Sequence, residues 1–178
     1  MTSNDWLTPP HILDVVRRLG PIDLDPCIPG YDPAVHPDGL VRPWVNDPAV
    51  SDRGVVFVNP PYGRGLVEKW VDKAIREAAV PLERNTNRSI VLLLPARTEQ
   101  PWFQSLAWLR VHSALPQGNS AALCFIRGRV RFINPDTGAA VGAGTFPSVL
   151  WYLGTRAHDF REAVRWQSAD RTGLGVVL

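Results

Sequence analysis

An amide, two prolines and a phenol follow one another at Asn59-Pro60-Pro61-Tyr62, immediately after the apolar run Val55-Val56-Phe57-Val58. Such a set suits a planar ring that bears an exocyclic amine. The Asn59 side-chain oxygen and the Pro60 carbonyl would accept the two N–H hydrogens, Pro61 would stiffen the turn, and Tyr62 would stack on the ring. An amine of this kind is a poor nucleophile because its lone pair is delocalised into the ring. Two acceptors draw it toward tetrahedral geometry and aim the lone pair at an electrophile, so positioning and electrostatics can supply most of the rate. Neither a metal nor a separate strong base is required. On this reading Tyr62→Phe is tolerated and Tyr62→Ala is not, since stacking needs only the ring.

The elements around this turn place it. A short β-rich run that stops at two prolines reads as a buried strand delivering a rigid turn at its carboxyl end, where open α/β sheets bind their ligands. A second short strand, Ile22–Asp25, stops at Pro26 and puts the Asp25 carboxylate at the same end of the sheet. Upstream, Thr8 is a helix cap with Pro9 at the first position, and Ile12, Val15, Val16 and Leu19 form the buried face until Gly20. Residues 26–54, rich in Pro, Gly and Asp, read as a long loop. Leu66, Trp70, Val71, Ala74, Ile75 and Ala78 make one helical face, with Lys69, Asp72, Lys73, Arg76 and Glu77 outside it. Ile90–Leu94 is apolar throughout, as a central parallel strand is, and a helix follows over roughly 101–109.

Beyond that helix, Ala121–Ile126 and Val130–Ile133 flank Arg127-Gly128-Arg129 as a hairpin or bulged ribbon. Asn134–Gly144 reads as a flexible Gly-rich loop, Ser148–Leu153 as a closing strand and 157–167 as a last helix. The apolar tail 173–178 docks at a place the pattern does not specify. Helices alternating with buried strands predict an α/β sheet with helices on its faces and an antiparallel edge. The expected organisation is one domain over 1–178: a core over about 5–110, a basic hairpin and closing strand over about 120–153, and a helix and tail over 156–178.

Composition narrows the partners. The 178 residues are 45% hydrophobic and 20% charged, the range of globular proteins. No apolar run approaches a membrane span, and the start lacks the basic and apolar regions of a signal peptide. Cys27 and Cys124 form no CxxC pair, and the four histidines lack metal-ligand spacing. The expectation is therefore a reduced, cytoplasmic setting with neither metal nor membrane. The net charge of +2 hides an asymmetry: residues 1–83 carry 8 basic and 12 acidic side chains, residues 84–178 carry 11 basic and 5 acidic ones, and all 11 are arginine. Arginine recognises phosphate with a planar, bidentate fork, so a basic second half suits a polyanion. Arg127, Arg129 and Arg131 alternate at strand period and share one face, making them the candidate phosphate contacts.

The ordered motifs resemble a known family. Asn59-Pro60-Pro61-Tyr62 resembles the catalytic turn of amino-group methyltransferases. Trp6 to Pro9, Asp23 to Cys27, Trp44, Asn59 to Gly63, Lys69-Trp70, Leu94 to Ala96 with Trp102-Phe103, and Arg127 to Arg129 together resemble a compact, phage-type family of DNA adenine methyltransferases over roughly residues 5–153. The resemblance implies a compact Rossmann-like fold and S-adenosyl-L-methionine as cofactor. It also implies DNA as partner, with adenine flipped from the duplex to expose its 6-amino group. It places Thr8, Pro9, Asp25, Pro26, Cys27, Asp38 and Asn59 around the cofactor, and Asn59, Pro60, Pro61 and Tyr62 on the target base. The setting it implies is the cytoplasm of a bacterial cell, with a phage or prophage as the source.

Two departures accompany it. Cys27-Ile28-Pro29-Gly30 stands where a Gly-x-Gly is usual, and Asp25 and Asn59 are only 34 positions apart, too few for two strand–helix units. Of Asp32 and Asp38, the latter is preferred for a cofactor contact. RNA adenine, a cytosine amine in DNA and a protein glutamine are the alternative substrates. A module that binds nucleic acid without catalysis is the alternative of another class.

Overall fold

The computed structural model describes residues 6–27, 43–63, 65–80, 89–112, 115, 118–142, 144, 146–165 and 174–178. In chain order the elements are α1 (Pro10–Arg17), β1 (Ile22–Leu24), β2 (Val55–Val58), α2 (Leu66–Ala79), β3 (Ser89–Pro95), α3 (Pro101–His112), β4 (Ser120–Ile126), β5 (Ser148–Gly154), α4 (Ala157–Arg165) and β6 (Gly175–Val177). The described strands form one sheet in the order β1-β2-β3-β5-β4-β6. β1, β2 and β3 run parallel, while β5 is antiparallel to both β3 and β4, and β6 to β4. The mixed α/β architecture and its antiparallel edge agree with the sequence reading and with a Rossmann-like methyltransferase fold.

Strand alternation sends side chains to two cores. Val56, Val58, Ile90, Leu92 and Leu94 meet Trp70, Val71 and Ala74 of α2 and Trp102, Phe103 and Leu106 of α3. Val55, Phe57, Val91 and Leu93 meet Ile12, Val15 and Val16 of α1 and Phe160 and Val164 of α4. Helices thus cover both faces, and β2, β3 and β5 are buried along their whole length. That is why these strands read as unbroken apolar runs.

Four local expectations need correction. Thr8 does not cap α1: the cap position is Pro9, no side chain caps the helix, and the first helical residue is Pro10. Val130–Ile133 does not return along Ala121–Ile126. It crosses instead to the N-terminal segment, where Leu7 and Ile133 exchange N–H···O bonds of 2.9 and 3.0 Å, and to the stretch around Ala140. Gly128 makes this departure possible, since its φ of +72° is a left-handed conformation that residues with a Cβ rarely adopt. Ser148–Leu153 does not close the sheet at its rim, because β5 is inserted between β3 and β4. The outermost strand there is the tail, which pairs with β4 through Cys124↔Val177 and Phe125↔Val176.

Lastly, Lys73 and Glu77 are not outside the apolar face of α2; both are buried. Glu77 accepts hydrogen bonds from the backbone N–H groups of Trp44 (2.9 Å) and Val45 (3.1 Å) and pairs with Lys73 Nζ at 2.5 Å. Trp44 itself is fully buried and stacks on Trp70 with ring centroids 6.0 Å apart. The segment entering β2 is therefore pinned to α2 by two hydrogen bonds to Glu77 and a ring stack.

At the amino end of the sheet, Arg156 reaches four elements. Its guanidinium donates to Ser89 Oγ (3.1 Å), to the Arg53 carbonyl (3.2 Å) and to the Leu19 carbonyl, and its backbone N–H donates to Tyr152 Oη (2.7 Å). Opposite ends of one sheet are thus used differently, with a buried clasp at the amino end and the turns of interest at the carboxyl end.

Candidate active site

The carboxyl ends of β1 and β2 are neighbours because the two strands pair through Ile22↔Val55 and Leu24↔Val56. Asp23 secures that pairing: its Oδ2 accepts from the Ser51 N–H (2.8 Å) and hydroxyl (2.6 Å) just before β2. Asp25-Pro26-Cys27 and Asn59-Pro60-Pro61-Tyr62 therefore emerge side by side. The two turns touch, for the Cys27 sulfur accepts a hydrogen bond from the backbone N–H of Asn59.

Past Val58↔Leu92 the β2–β3 ladder ends, since Pro60 and Pro61 have no N–H to continue it. Tyr62 fills the gap. Its Oη lies 3.1 Å from the Leu93 carbonyl oxygen and 3.1 Å from Asn59 Oδ1. On the other side of the same amide, Asn59 Nδ2 donates to Thr8 Oγ1 at 3.1 Å. Residues 51 positions apart are thereby joined, and the Asn59 amide is held between two hydroxyls.

An aromatic wall closes this corner. Phe132 meets Tyr62 edge-on at 6.3 Å and 73°, and Trp6 at 6.2 Å. Phe132 arrives there on the segment that pairs with Leu7, so one ribbon both covers Tyr62 and fixes the strand that carries Thr8. Along that ribbon Val130 and Phe132 are buried while Arg127, Arg129 and Arg131 are exposed. Arg129 Nη1 also donates to the Gly144 carbonyl at 3.1 Å. The three arginines are exposed, but no strand carries them and Gly128, with its φ of +72°, breaks the alternation between Arg127 and Arg129.

Electrostatics mark the β1 end. Burial pushes the Asp25 carboxyl from about 4 up to about 6, against the opposing effect of the Cys27 N–H, which donates to Asp25 Oδ1 at 3.0 Å. Among the described residues no basic side chain offsets that burial. Burial, and then the neighbouring Asp25, push the Cys27 thiol well above its usual value, so Cys27 is a neutral packing and hydrogen-bonding group rather than a nucleophile.

The structure brings Thr8, Asp25, Cys27, Asn59 and Tyr62 together, with Pro9, Pro26, Pro60 and Pro61 as the stiff backbone between them. Asp38 lies outside the described residues, as does Asp32. Sequence reasoning missed Phe132 and the Leu93 carbonyl. The alternation that singled out Arg129 and Arg131 also pointed Phe132 the opposite way, which was the available signal. Just past the carboxyl end of β3, the Arg97 guanidinium sits 4.2 Å from the centroid of the partly exposed Phe146 ring.

Among the described residues no group of three or more His, Cys, Asp and Glu is placed to hold a metal ion, and no helix is long and apolar enough to cross a membrane. The sequence profile described as DNA N-6-adenine-methyltransferase (Dam) matches residues 2–162. No curated protein matches the chain.

Proposed function

The chain belongs to the DNA N-6-adenine-methyltransferase (Dam) family, and we propose that it methylates adenine at Asn59, with S-adenosyl-L-methionine as donor and the base turned out of the duplex. Its activity is the transfer of a methyl group to the 6-amino group of adenine in DNA. Membership in this family selects DNA adenine over RNA adenine, a cytosine amine and glutamine. The observation that carries the assignment to this corner is the Asn59 amide, held by two hydroxyls at the end of β2 beside the Asp25 carboxyl, for which no cation is found among the described residues.

Asn59 Oδ1 and the Pro60 carbonyl accept the two amine hydrogens, which removes the amine from conjugation with the ring. The amine's lone pair then points away from both acceptors, toward the β1 side of the cleft. Tyr62 and Phe132 supply the apolar surface against which the base rests, and base stacking on an aromatic contributes about 1–3 kcal/mol. Asp25 binds the α-ammonium of the donor, and Pro26 and Cys27 line its methionine part. S-adenosyl-L-methionine supplies a methyl group on a sulfonium, which is electrophilic enough that no metal is needed. The residues present fit that group, since Asp25 is a carboxylate that can pair with an ammonium and has no cation among the described residues.

Because the 6-amino group lies within the base-paired stack, catalysis requires that the adenine leave it. The exposed Arg127, Arg129 and Arg131 hold the phosphates of the duplex on either side. One continuous sheet with a core on each face supports reading residues 1–178 as a single domain. The direct test is to incubate DNA with the protein and S-adenosyl-L-methionine and to analyse the hydrolysed nucleosides by mass spectrometry. N6-methyladenine is the expected product, and a methylated cytosine in its place overturns the reading.

A further inference from the structure

Tyr62 Oη stands 3.1 Å from Asn59 Oδ1 and 3.1 Å from the Leu93 carbonyl oxygen. Both are acceptors, and a phenol has one proton to give. Burial pushes that phenol far above its ordinary range, so the proton is present at any working pH. Across the amide, Asn59 Nδ2 donates to Thr8 Oγ1. We infer that Thr8 and Tyr62 are positioning residues for the Asn59 amide: Thr8 holds its Nδ2 side, while the Tyr62 hydroxyl covers Oδ1 in the empty site and turns to Leu93 O when the target amine arrives. This rests on the reading of Asn59 Oδ1 as an acceptor for that amine.

The exchange leaves neither acceptor short once the amine is bound, whereas in the empty site the single phenolic proton serves one of the two. Oδ1 trades the Tyr62 O–H for an amine N–H, and Tyr62 trades one acceptor for another 3.1 Å away. No covalent bond changes, and the phenolic proton stays on its oxygen. An unsatisfied buried acceptor costs about 1–3 kcal/mol, so arrival of the amine, which lets both Oδ1 and Leu93 O be satisfied, is favoured over the empty site where they share one proton. Orientation is the second benefit. Thr8 accepting from Nδ2 and Tyr62 donating to Oδ1 both favour the amide with its oxygen on the Tyr62 side. The half-turned amide would present a donor to an amine that is itself a donor. The threonine of the Thr8-Pro9 element therefore serves the target side of the site, whereas the resemblance to the methyltransferase family placed it on the cofactor.

Thr8→Val keeps the shape and removes the hydroxyl. With both substrates saturating it should lower kcat about tenfold, as loss of one hydrogen bond to an acting group does, while KM for DNA and the affinity for S-adenosyl-L-methionine change less than about twofold. Thr8→Ser should restore kcat. Tyr62→Phe should lower kcat about three- to tenfold although it keeps the ring, and Tyr62→Ala should lower it further. Thermal unfolding checks the fold of each, and the Tyr62→Phe protein carries the test if Thr8→Val is unstable. Wild-type kcat in both Thr8→Val and Tyr62→Phe overturns the inference. So does a loss of donor affinity in Thr8→Val with kcat unchanged at saturating donor, which would assign Thr8 to the cofactor. Asn59→Ala separates the two levels. If it is inactive while Thr8→Val and Tyr62→Phe are fully active, only the positioning role falls; if it is fully active, the reading of Asn59 falls and the inference with it.

Discussion

At the scale of residues, the proposed reading divides the work between two side chains, Asn59 for the amine and Asp25 for the donor. Asn59→Ala should reduce methylation at least a hundredfold, the usual order for removing a positioned polar group at a reacting centre. Binding of S-adenosyl-L-methionine measured by calorimetry should stay nearly unchanged. Asp25 should behave in the opposite way. Burial holds its carboxyl at about 6 in the empty protein. A protonated Asp25 costs the fold nothing at low pH, and the stability it contributes there is lost as pH rises from about 4 through about 6. Pairing with an ammonium reverses the preference, because only the carboxylate can take part. Donor affinity should therefore be about tenfold weaker at pH 5 than at pH 7, where the group is already ionised. Asp25→Asn should bind weakly at both pH values, without the slope. Equal affinity at the two pH values in the wild-type protein would move the ammonium elsewhere.

At the scale of elements, the site depends on how the long connection between β1 and β2 returns to the sheet. Trp44 and Val45 are fastened to Glu77 by two backbone hydrogen bonds, and Glu77 in turn to Lys73. Removing one partner of a buried ion pair leaves an uncompensated charge, which costs about 3–5 kcal/mol. Glu77→Ala should lower the urea midpoint accordingly, whereas Glu77→Gln, which keeps an acceptor oxygen, should lower it less. Donor affinity should fall with Glu77→Ala even under conditions where the protein stays folded, since the segment it anchors leads directly into β2. Nothing in the helical periodicity of α2 revealed this. Lys73 and Glu77 look like solvated charges until Trp44, some thirty residues upstream, is laid across them.

At the scale of the whole molecule, the proposed contacts to DNA and to the donor lie on one small sheet. The exposed arginines follow β4 on the ribbon that packs against Leu7 and Tyr62, which sets the proposed phosphate contacts beside the proposed base-accepting corner. Arg127→Ala combined with Arg129→Ala should weaken DNA binding across all sequences and reduce the slope of log affinity against log salt by about 2, one unit for each phosphate no longer neutralised. Donor affinity is the control for folding. A loss confined to one DNA sequence would mean that these residues read bases, and an unchanged slope would place the DNA path elsewhere.

What was legible in the sequence is what depends on near neighbours. Apolar runs marked β2 and β3 because strands buried on both faces need apolar side chains at every position, and prolines marked the turn at Asn59 because they end a ladder by chemistry alone. Alternation in 129–132 separated arginines from core residues for the same local reason. Tertiary structure decided the rest. Thr8 resembles a helix cap until Asn59, from a distant strand, donates to it. The ribbon around Phe132 resembles a hairpin until Leu7 offers it a better partner, and the tail acquires a role only because β4 has an open edge. Each of these joins segments far apart in the chain, and no periodicity within one segment records which remote group will satisfy its hydrogen bonds.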